Sequence, residues 1–485
     1  MKAMTSAHFI GIGGVGMSPL AELMHRRGHP VSGSDLKAGA NTAHLRSLGI
    51  DVKIGHDAAH LGKADVVVRS SAVGDDNPEV ARARALGLPV VGRGELLADL
   101  LDGRESIVVA GTHGKTTTSS MIAHVLGETG QDPTAIVGGR LGASDSGLRF
   151  GRDDLYVCEC DESDGSFLHL RPTLAVLTNV DPEHLDHYGS VSALEDAFVQ
   201  FTAGMPLDGV CVACADHPRL ASLLPRIERR RVTYGLEREA DLEAYDVRAD
   251  GLGMSFAVRS QGAAMGDAFV PMPGRHNVAN ALATLAVAFE RDVPWGLATE
   301  ALASYGGVDR RFSLRGEASG VRVVDDYAHH PAELEATLAA ARGVHADRIV
   351  AVFQPHRYTR TRDAFDGFTA AFDAADLVVI TDIYAAGDPP IDGITGAALA
   401  AAIERRGSIE RRNFIEPRDF VQRRSAVEVK HLATLDDVLA WLPGRLAAGD
   451  LVLTLGAGDV SGLGPRLLEA LAGSASSADG EGDAT

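Results

Sequence analysis

Residues 106–118 read Ser106-Ile-Val-Val-Ala110-Gly111-Thr112-His113-Gly114-Lys115-Thr116-Thr117-Thr118. The apolar run at 107–110 has the character of a buried parallel strand; it breaks at Gly111, and a helix is expected from about Lys115. Strand, glycine turn and helix start together make an anion site, because free backbone N–H groups and the positive helix end point at one spot. Lys115 adds an ammonium for β- and γ-phosphates, and Thr116 a hydroxyl placed to ligate Mg2+. The loop is shorter than the usual phosphate loop: that pattern needs a glycine five residues before Gly114, where Val109 stands. Gly111, Thr112, His113, Gly114, Lys115, Thr116 and Thr117 are the expected nucleotide contacts.

The chain upstream, to about Gly103, alternates short apolar strands with helical stretches, the pattern of a doubly wound parallel sheet. Its first strand, 8–11, runs into Gly11-Ile-Gly13-Gly14-Val15-Gly16-Met17-Ser18. Gly11, Gly13 and Gly16 match the G-x-G-x-x-G dinucleotide pattern, and Ser34-Asp35 ends the next strand. That pattern places a pyrophosphate on the following helix without specifying its owner: NAD and a UDP-sugar both qualify, and Asp35 could meet the uridine end. Ser70 and Ser71, after another strand, fall on the same ligand-binding carboxyl edge, or serve as turn residues.

Downstream, the strand at 155–160 ends in Glu159-Cys-Asp161-Glu162-Ser-Asp164, and the strand at 174–177 leads to Asn179-Val-Asp181-Pro-Glu183-His184. Carboxylates and imidazoles thus end two strands near the phosphate loop. Glu159 lies within an apolar strand, which a solvated acidic loop does not explain, so Glu159 and His184 join Thr116 as candidate Mg2+ ligands. From 245 to 273 short alternating strands suggest a small antiparallel patch. Pro273-Gly-Arg-His276-Asn277-Val-Ala-Asn280 then opens an alanine-rich helix in which His276 and Asn280, four apart, share a face. A glycine linker with paired arginines, Gly306-Gly-Val-Asp309-Arg310-Arg311-Phe312, precedes a third strand-and-helix region. There the strand ends carry Asp325-Asp326-Tyr327-Ala-His329-His330-Pro331 and Gln354-Pro-His356-Arg357-Tyr-Thr-Arg360.

A length of 485 residues fits about three domains, and 45% hydrophobic residues suit a soluble globular protein. No apolar run nears the roughly 18 residues of a membrane helix, and the first seven residues are too short and polar for a signal peptide, so a cytoplasmic protein is expected. The net charge of −20 argues against a broad nucleic-acid footprint and means that an anionic ligand must be met by local cations. Cys158, Cys160, Cys211 and Cys214 lack the second pair that zinc spacing requires and read as buried reduced thiols.

Taken in order, the motifs at 11–18, 111–118, 161–164, 179–184, 274–277, 325–331 and 353–360 closely resemble the Mur ligase family of peptidoglycan synthesis, over nearly the whole chain to about residue 470. The resemblance implies an α/β protein of three domains: an N-terminal Rossmann-like domain for the UDP moiety (1–104), a central P-loop ATPase domain with a mostly parallel sheet and a small antiparallel patch (105–311), and a C-terminal Rossmann-like domain for the incoming amino acid (312–472). A disordered tail at 473–485 follows from its Ser, Gly and acidic composition. By the same resemblance Lys115 and Thr116 are the phosphate-loop lysine and its Mg2+ threonine, with Glu159 and His184 as further metal ligands. His276 and Asn280 lie near the adenine, and Arg310 reaches the nucleotide phosphates. Tyr327, His329, Arg357 and Arg360 line the site where the amino acid meets the reacting carboxylate. Gly13, Gly14, Val15, Gly16, Met17, Ser34, Asp35, Ser70 and Ser71 are the residues expected at the UDP-substrate.

The implied reaction joins L-alanine to the carboxylate of UDP-N-acetylmuramate through an acyl phosphate, with ATP as co-substrate, Mg2+ or Mn2+ as metal, and ADP and phosphate as products. Phosphoryl transfer needs alignment and charge neutralisation, which Lys115, Thr116 and Glu159 would serve. Arg357 and Arg360 would clamp the alanine carboxylate, and His329 is either the base for its amine or a positioning hydrogen bond. Binding of three substrates implies domain closure, with 306–312 as hinge. Several relatives carry a carbamylated lysine between two metals; here no lysine lies between Lys115 and Lys430, so that device is absent. The partners expected are small molecules only, for a monomer or weak homodimer. Three rivals remain at this level: a recycling ligase that joins a tripeptide to the same nucleotide, an NAD-dependent oxidoreductase built on the first glycine loop and Asp35, and a non-catalytic UDP-sugar sensor that binds without ATP turnover.

Overall fold

The computed structural model describes residues 6–139, 146–345, 347–413 and 427–478. Three sheets organise them. The first has strands β1 (Ala7–Ile10), β2 (Val31–Asp35), β3 (Asp51–Ile54), β4 (Val66–Arg69) and β5 (Val90–Gly92) in the order β3-β2-β1-β4-β5. All neighbours are parallel, with Ala7 opposite both Val31 and Val66. The order reverses between β1 and β4, so the loops after these two strands open into a crevice at one sheet edge, the place where open α/β sheets bind ligands.

The second sheet has ten strands: β6 (Glu105–Ala110), β7 (Pro133–Ile136), β8 (Leu148–Arg149), β9 (Arg152–Glu159), β10 (Leu174–Leu177), β11 (Val210–Cys214), β12 (Arg230–Gly235), β13 (Leu242–Asp250), β14 (Gly253–Ser260) and β15 (Ala263–Val270). Their order is β15-β14-β13-β12-β11-β10-β6-β9-β7-β8. Strand β6 is therefore flanked in parallel by β10 and β9, with Ala110 opposite Leu177 and Val109 opposite Glu159. Residues 107–110 are buried, which explains their unbroken apolar run: a strand covered on both faces has no solvent side to alternate with. The strands β13–β15, joined by two-residue turns that permit only antiparallel neighbours, continue this same sheet and supply the expected antiparallel patch.

The third sheet orders β16 (Ser313–Ala318), β17 (Val321–Asp326), β18 (Ile349–Phe353), β19 (Leu377–Ile380), β20 (Glu428–His431) and β21 (Leu451–Leu455) as β16-β17-β21-β18-β19-β20. Only the β16–β17 pair is antiparallel. Each face carries its own apolar cluster, one built around Phe353, Phe368 and Phe372, the other around Val350, Val452 and Leu467. By compactness the chain forms two units that part between Asp309 and Arg310, the second also taking in Ala249–Met254 and Met272–Arg275. At the start of the second unit Arg310 and Phe312 hold left-handed φ angles of 62° and 48°. The final helix, Leu463–Ala478, corrects the expected tail: residues 473–478 are helical, and the rest of that segment lies outside the described residues. Among the described residues no helix is long and apolar enough to cross a membrane. All four cysteines are buried and free, and burial pushes the Cys211 thiol up to about 12.

The first sheet hides a polar cluster. Glu79 and His8 are fully buried. The Glu79 carboxylate accepts from His8 Nε2 and Ser34 Oγ at 2.8 Å each and from Asp57 N at 3.1 Å, and His56 Nδ1 lies 3.1 Å away. This corrects Ser34, expected at the UDP-substrate: its side chain is sealed inside and its hydroxyl donates to Glu79. Burial raises the Glu79 carboxyl, but the hydrogen bonds from His8 and Ser34 and the His8 charge outweigh it, to about 2. The folded value lies below the ordinary 4.5, so the carboxylate stabilises the fold above that pH and the benefit is lost as pH falls through the folded value. Glu79→Gln should therefore be destabilised by about 3 kcal/mol at neutral pH in chemical denaturation, and its gap from wild type should close between pH 4.5 and 2.

Candidate active site

The β6–helix turn is shaped by two glycines. Gly111 has φ 134°, and a Cβ there would lie 2.2 Å from Thr178 Oγ1; Gly114 has φ 80°, and its Cβ would lie 2.8 Å from Asn280 Oδ1. The end of β10 and the helix Arg275–Glu290 therefore press directly on the loop. The loop after β10 also holds it from below: His113 N donates to Asn179 Oδ1 (2.7 Å), Asp181 N donates to Thr112 Oγ1 (2.8 Å), and Asn179 Nδ2 donates to the His113 carbonyl (3.0 Å). Asp181 in turn lies 3.5 Å from His113 Nε2 and 3.2 Å from His217 Nε2.

Lys115, first residue of the helix Lys115–Glu128, folds back over the loop. Its ammonium donates to the carbonyls of Gly111 and Thr112 and to Glu162 Oε2 at 2.9 Å. Burial alone would push the ammonium down; the charges of Glu162, Asp161 and Glu159 outweigh it and hold it well above its ordinary value. Glu162, only 2% exposed, is a residue that the sequence reading placed in an acidic cluster without seeing it as the lysine's partner. Thr117 is buried in the same helix.

Thr116 and Glu159 each lie against one of two successive glycines, Gly139 and Gly138. A Cβ on Gly138 would lie 2.1 Å from Glu159 Oε1, and one on Gly139 would lie 3.1 Å from Thr116 Cγ2. A hydroxyl and a carboxylate beside a phosphate loop are the hard oxygen donors that Mg2+ takes, with waters and phosphate completing its shell, so these residues fit the metal. His184, the third candidate, stands at the end of the β10 loop with a left-handed φ of 55° and its Nε2 3.6 Å from Glu183 Oε2.

His276 and Asn280 divide. His276 is exposed, whereas Asn280 is buried, accepting from Thr118 Oγ1 (3.1 Å) and donating to buried Asn277 (3.2 Å). Asn280 thus braces Gly114, and Asn277, absent from the expected site, braces Asn280.

At the first sheet Asp35 Oδ2 accepts from Gly13 N at 2.9 Å, and Asn41 Nδ2 donates to the Gly13 carbonyl at 2.8 Å. The aspartate fixes the glycine loop, a role that needs no ribose. Gly11, with φ 76°, brings the loop within van der Waals reach of Ser70. Met17 is buried, Val15 exposed, and Gly14 N donates back to the Gly11 carbonyl. Ser70 and Ser71 line a cleft of about 570 Å3 whose other wall is residues 164–166 and His169 of the second sheet's loops. Gly16 lies under the side chain of Arg93, another lining residue.

In the second unit Tyr327 lies under two guanidinium groups, Arg310 at 5.0 Å and Arg311 at 5.3 Å from its ring centre. Arg310 donates to Asp325 Oδ2 (3.1 Å) and to the carbonyls of Gly456 and Gly458, which fixes its guanidinium within this unit. His329 Nδ1 lies 3.0 Å from the Tyr327 carbonyl. A carbonyl only accepts, so Nδ1 carries the proton and Nε2 keeps a lone pair. Burial pushes this imidazole down, aided by Arg360 and against the pull of Glu333, so it is neutral at neutral pH. His356, stacked on Tyr384 and accepting from Arg360 Nη1 at 3.2 Å, is pushed to about 4 by burial and by Arg360. It orients Arg360, while the Arg357 side chain is exposed on a backbone with φ 69°.

Comparison with known proteins places this arrangement in a class. Three family models match in succession: the Mur ligase family catalytic domain over residues 6–105, the Mur ligase middle domain over 109–288, and the Mur ligase glutamate ligase domain over 310–458. The chain belongs to the Mur ligase family. It is similar, at 49% identity over 94% of both chains, to the UDP-N-acetylmuramate–L-alanine ligase of Sorangium cellulosum. The solved UDP-N-acetylmuramate–alanine ligase of Thermotoga maritima aligns with TM-score 0.80 at 30% identity, covering 97% of this chain and 99% of that one. A murein peptide ligase of Psychrobacter arcticus aligns with TM-score 0.67 at 27% identity, over 96% and 99%. Family membership removes the oxidoreductase reading.

The loop geometry predicts that Gly114→Ala, which combines a left-handed φ with a clash at Asn280, costs ~1–3 kcal/mol of local strain and weakens ATP-analogue binding about tenfold or more in calorimetric titration.

Proposed function

We propose that this chain is an ATP-dependent carboxylate–amine ligase that joins L-alanine to the carboxylate of UDP-N-acetylmuramate, releasing ADP and phosphate. The observation that carries the reading is Lys115, held charged at the phosphate loop beside Glu159 and Thr116, in a chain that resembles L-alanine ligases along almost its whole length. The domains proposed are 1–104 for the UDP moiety, 105–311 for ATP and 312–472 for the amino acid.

The loop N–H groups and Lys115 bind the triphosphate, whose oxygens replace the Gly111 and Thr112 carbonyls as acceptors of the ammonium. Thr116, Glu159 and His184 would hold Mg2+ or Mn2+, which when bound neutralises phosphate charge. The substrate carboxylate attacks the γ-phosphorus, the bond to the β–γ bridging oxygen breaks, and ADP leaves with that electron pair. Asn277 and Asn280 keep the loop in shape for this transfer. The neutral alanine amine then attacks the acyl carbon, and the tetrahedral intermediate expels phosphate. His329 Nε2 takes the amine proton, a task suited to an imidazole that burial keeps neutral. Arg357 and Arg360 receive the alanine carboxylate. ATP and a nucleotide substrate place the reaction in the cytoplasm.

Sustained phosphate release by the purified protein should require both UDP-N-acetylmuramate and L-alanine; the same rate without either, or with tripeptide in place of L-alanine, would contradict the assignment. Lys115→Ala should lower kcat by about a thousandfold. His329→Gln should lower kcat by a factor of about a hundred without changing the Kd for ATP.

A further inference from the structure

The first sheet's cleft contains a cation with no partner of its own. Its lining includes Arg69, Arg93 and His169. Arg69 is already paired, donating to Asp75 at 2.6 Å. Arg93, the first residue of the helix Arg93–Leu101, makes no ion pair or hydrogen bond through its guanidinium among the described residues. Its stem and head cross the glycine-rich loop: a Cβ on Gly16 would lie 2.9 Å from Arg93 Cδ and 3.0 Å from Nη1. The absence of a side chain at Gly16 is what lets the guanidinium approach the loop backbone. Burial pulls the Asp161 carboxyl up, but the Lys115 charge, with a smaller effect from Arg93, holds it down.

A half-buried, unpaired guanidinium over a glycine loop calls for an anion. In a chain of net charge −20 the global field repels such a ligand, so its binding must come from local cations. The planar fork of an arginine fits two oxygens of one phosphate or one oxygen from each of two. We propose that Arg93 is the side chain that binds the diphosphate of the nucleotide-sugar, clamping it against the loop at Gly16, with Ser70 and Ser71 on the same wall. This rests on the reading of the first glycine loop as the nucleotide-sugar site and adds the residue that supplies its charge. Sequence pattern does not reach Arg93, because it lies 77 positions after Gly16 and outside every glycine motif.

The test uses the full chain and two probes, UDP and uridine, titrated calorimetrically into wild type, Arg93→Met and Arg93→Lys. Methionine keeps an apolar stem over Gly16 and removes the charge. Arg93→Met should weaken UDP at least tenfold, leave uridine and an ATP analogue unchanged, and flatten the salt dependence of UDP binding; Arg93→Lys should recover part of the loss. Unchanged UDP affinity in Arg93→Met, or an equal loss for UDP and uridine, would overturn the proposal while leaving the nucleotide-sugar site in place. A wild type that binds neither probe would overturn that site as well, and Arg93 with it.

Discussion

An ammonium pressed into the loop that ends β6 is the constraint from which the rest follows. Lys115 touches two carbonyls of its own loop and a carboxylate that is almost fully buried. Three nearby carboxylates keep it charged against burial. Such a site is stable only if the charge is compensated from several sides, and the ten-stranded sheet provides this by placing β9 and β10 on either flank of β6. The strand order thus sets the electrostatics: Glu159 ends one neighbour, Asn179 follows the other, and Glu162 lies three residues beyond Glu159. When a triphosphate arrives it meets donors already oriented, which is the arrangement that lowers a barrier without reorganisation during reaction.

The same economy recurs in the other two sheets. In each, polar residues gather on the loops that follow the strands, and small residues let backbones approach. Gly11 meets Ser70, Gly13 meets Asp35, and Gly16 meets Arg93. Gly456 and Gly458 offer carbonyls to Arg310. Buried hydrogen bonds, from Glu79 in the first sheet to Asp325 under Arg310 and Arg315 in the third, hold the strand ends that carry these loops.

Much of this was legible along the chain. The strand–glycine–lysine–helix stretch, the G-x-G-x-x-G loop and the polar strand ends are local patterns, and each is found where its pattern placed it. What escaped were partners set by sheet order and distance. Nothing local marks Glu162 over its acidic neighbours, or Arg93 over other arginines. Ser34 stands beside Asp35 at the end of β2, yet in a strand successive side chains face opposite ways, and its face is the one that packs on Glu79. His276 and Asn280 share a helical stripe in sequence, but tertiary packing buries only the second. The tail's composition suggested disorder, while its first six residues continue a helix whose preceding turns pack Leu463, Leu467 and Leu471 into the core.

The central claim is that the γ-phosphate held at Lys115 is passed to the carboxylate of the nucleotide-sugar. UDP-N-acetylmuramate labelled with oxygen-18 in that carboxylate, turned over with ATP and L-alanine, tests it in one measurement of the released phosphate. Transfer through an acyl phosphate predicts one labelled oxygen in each phosphate formed from doubly labelled carboxylate; phosphate released without label would contradict the account.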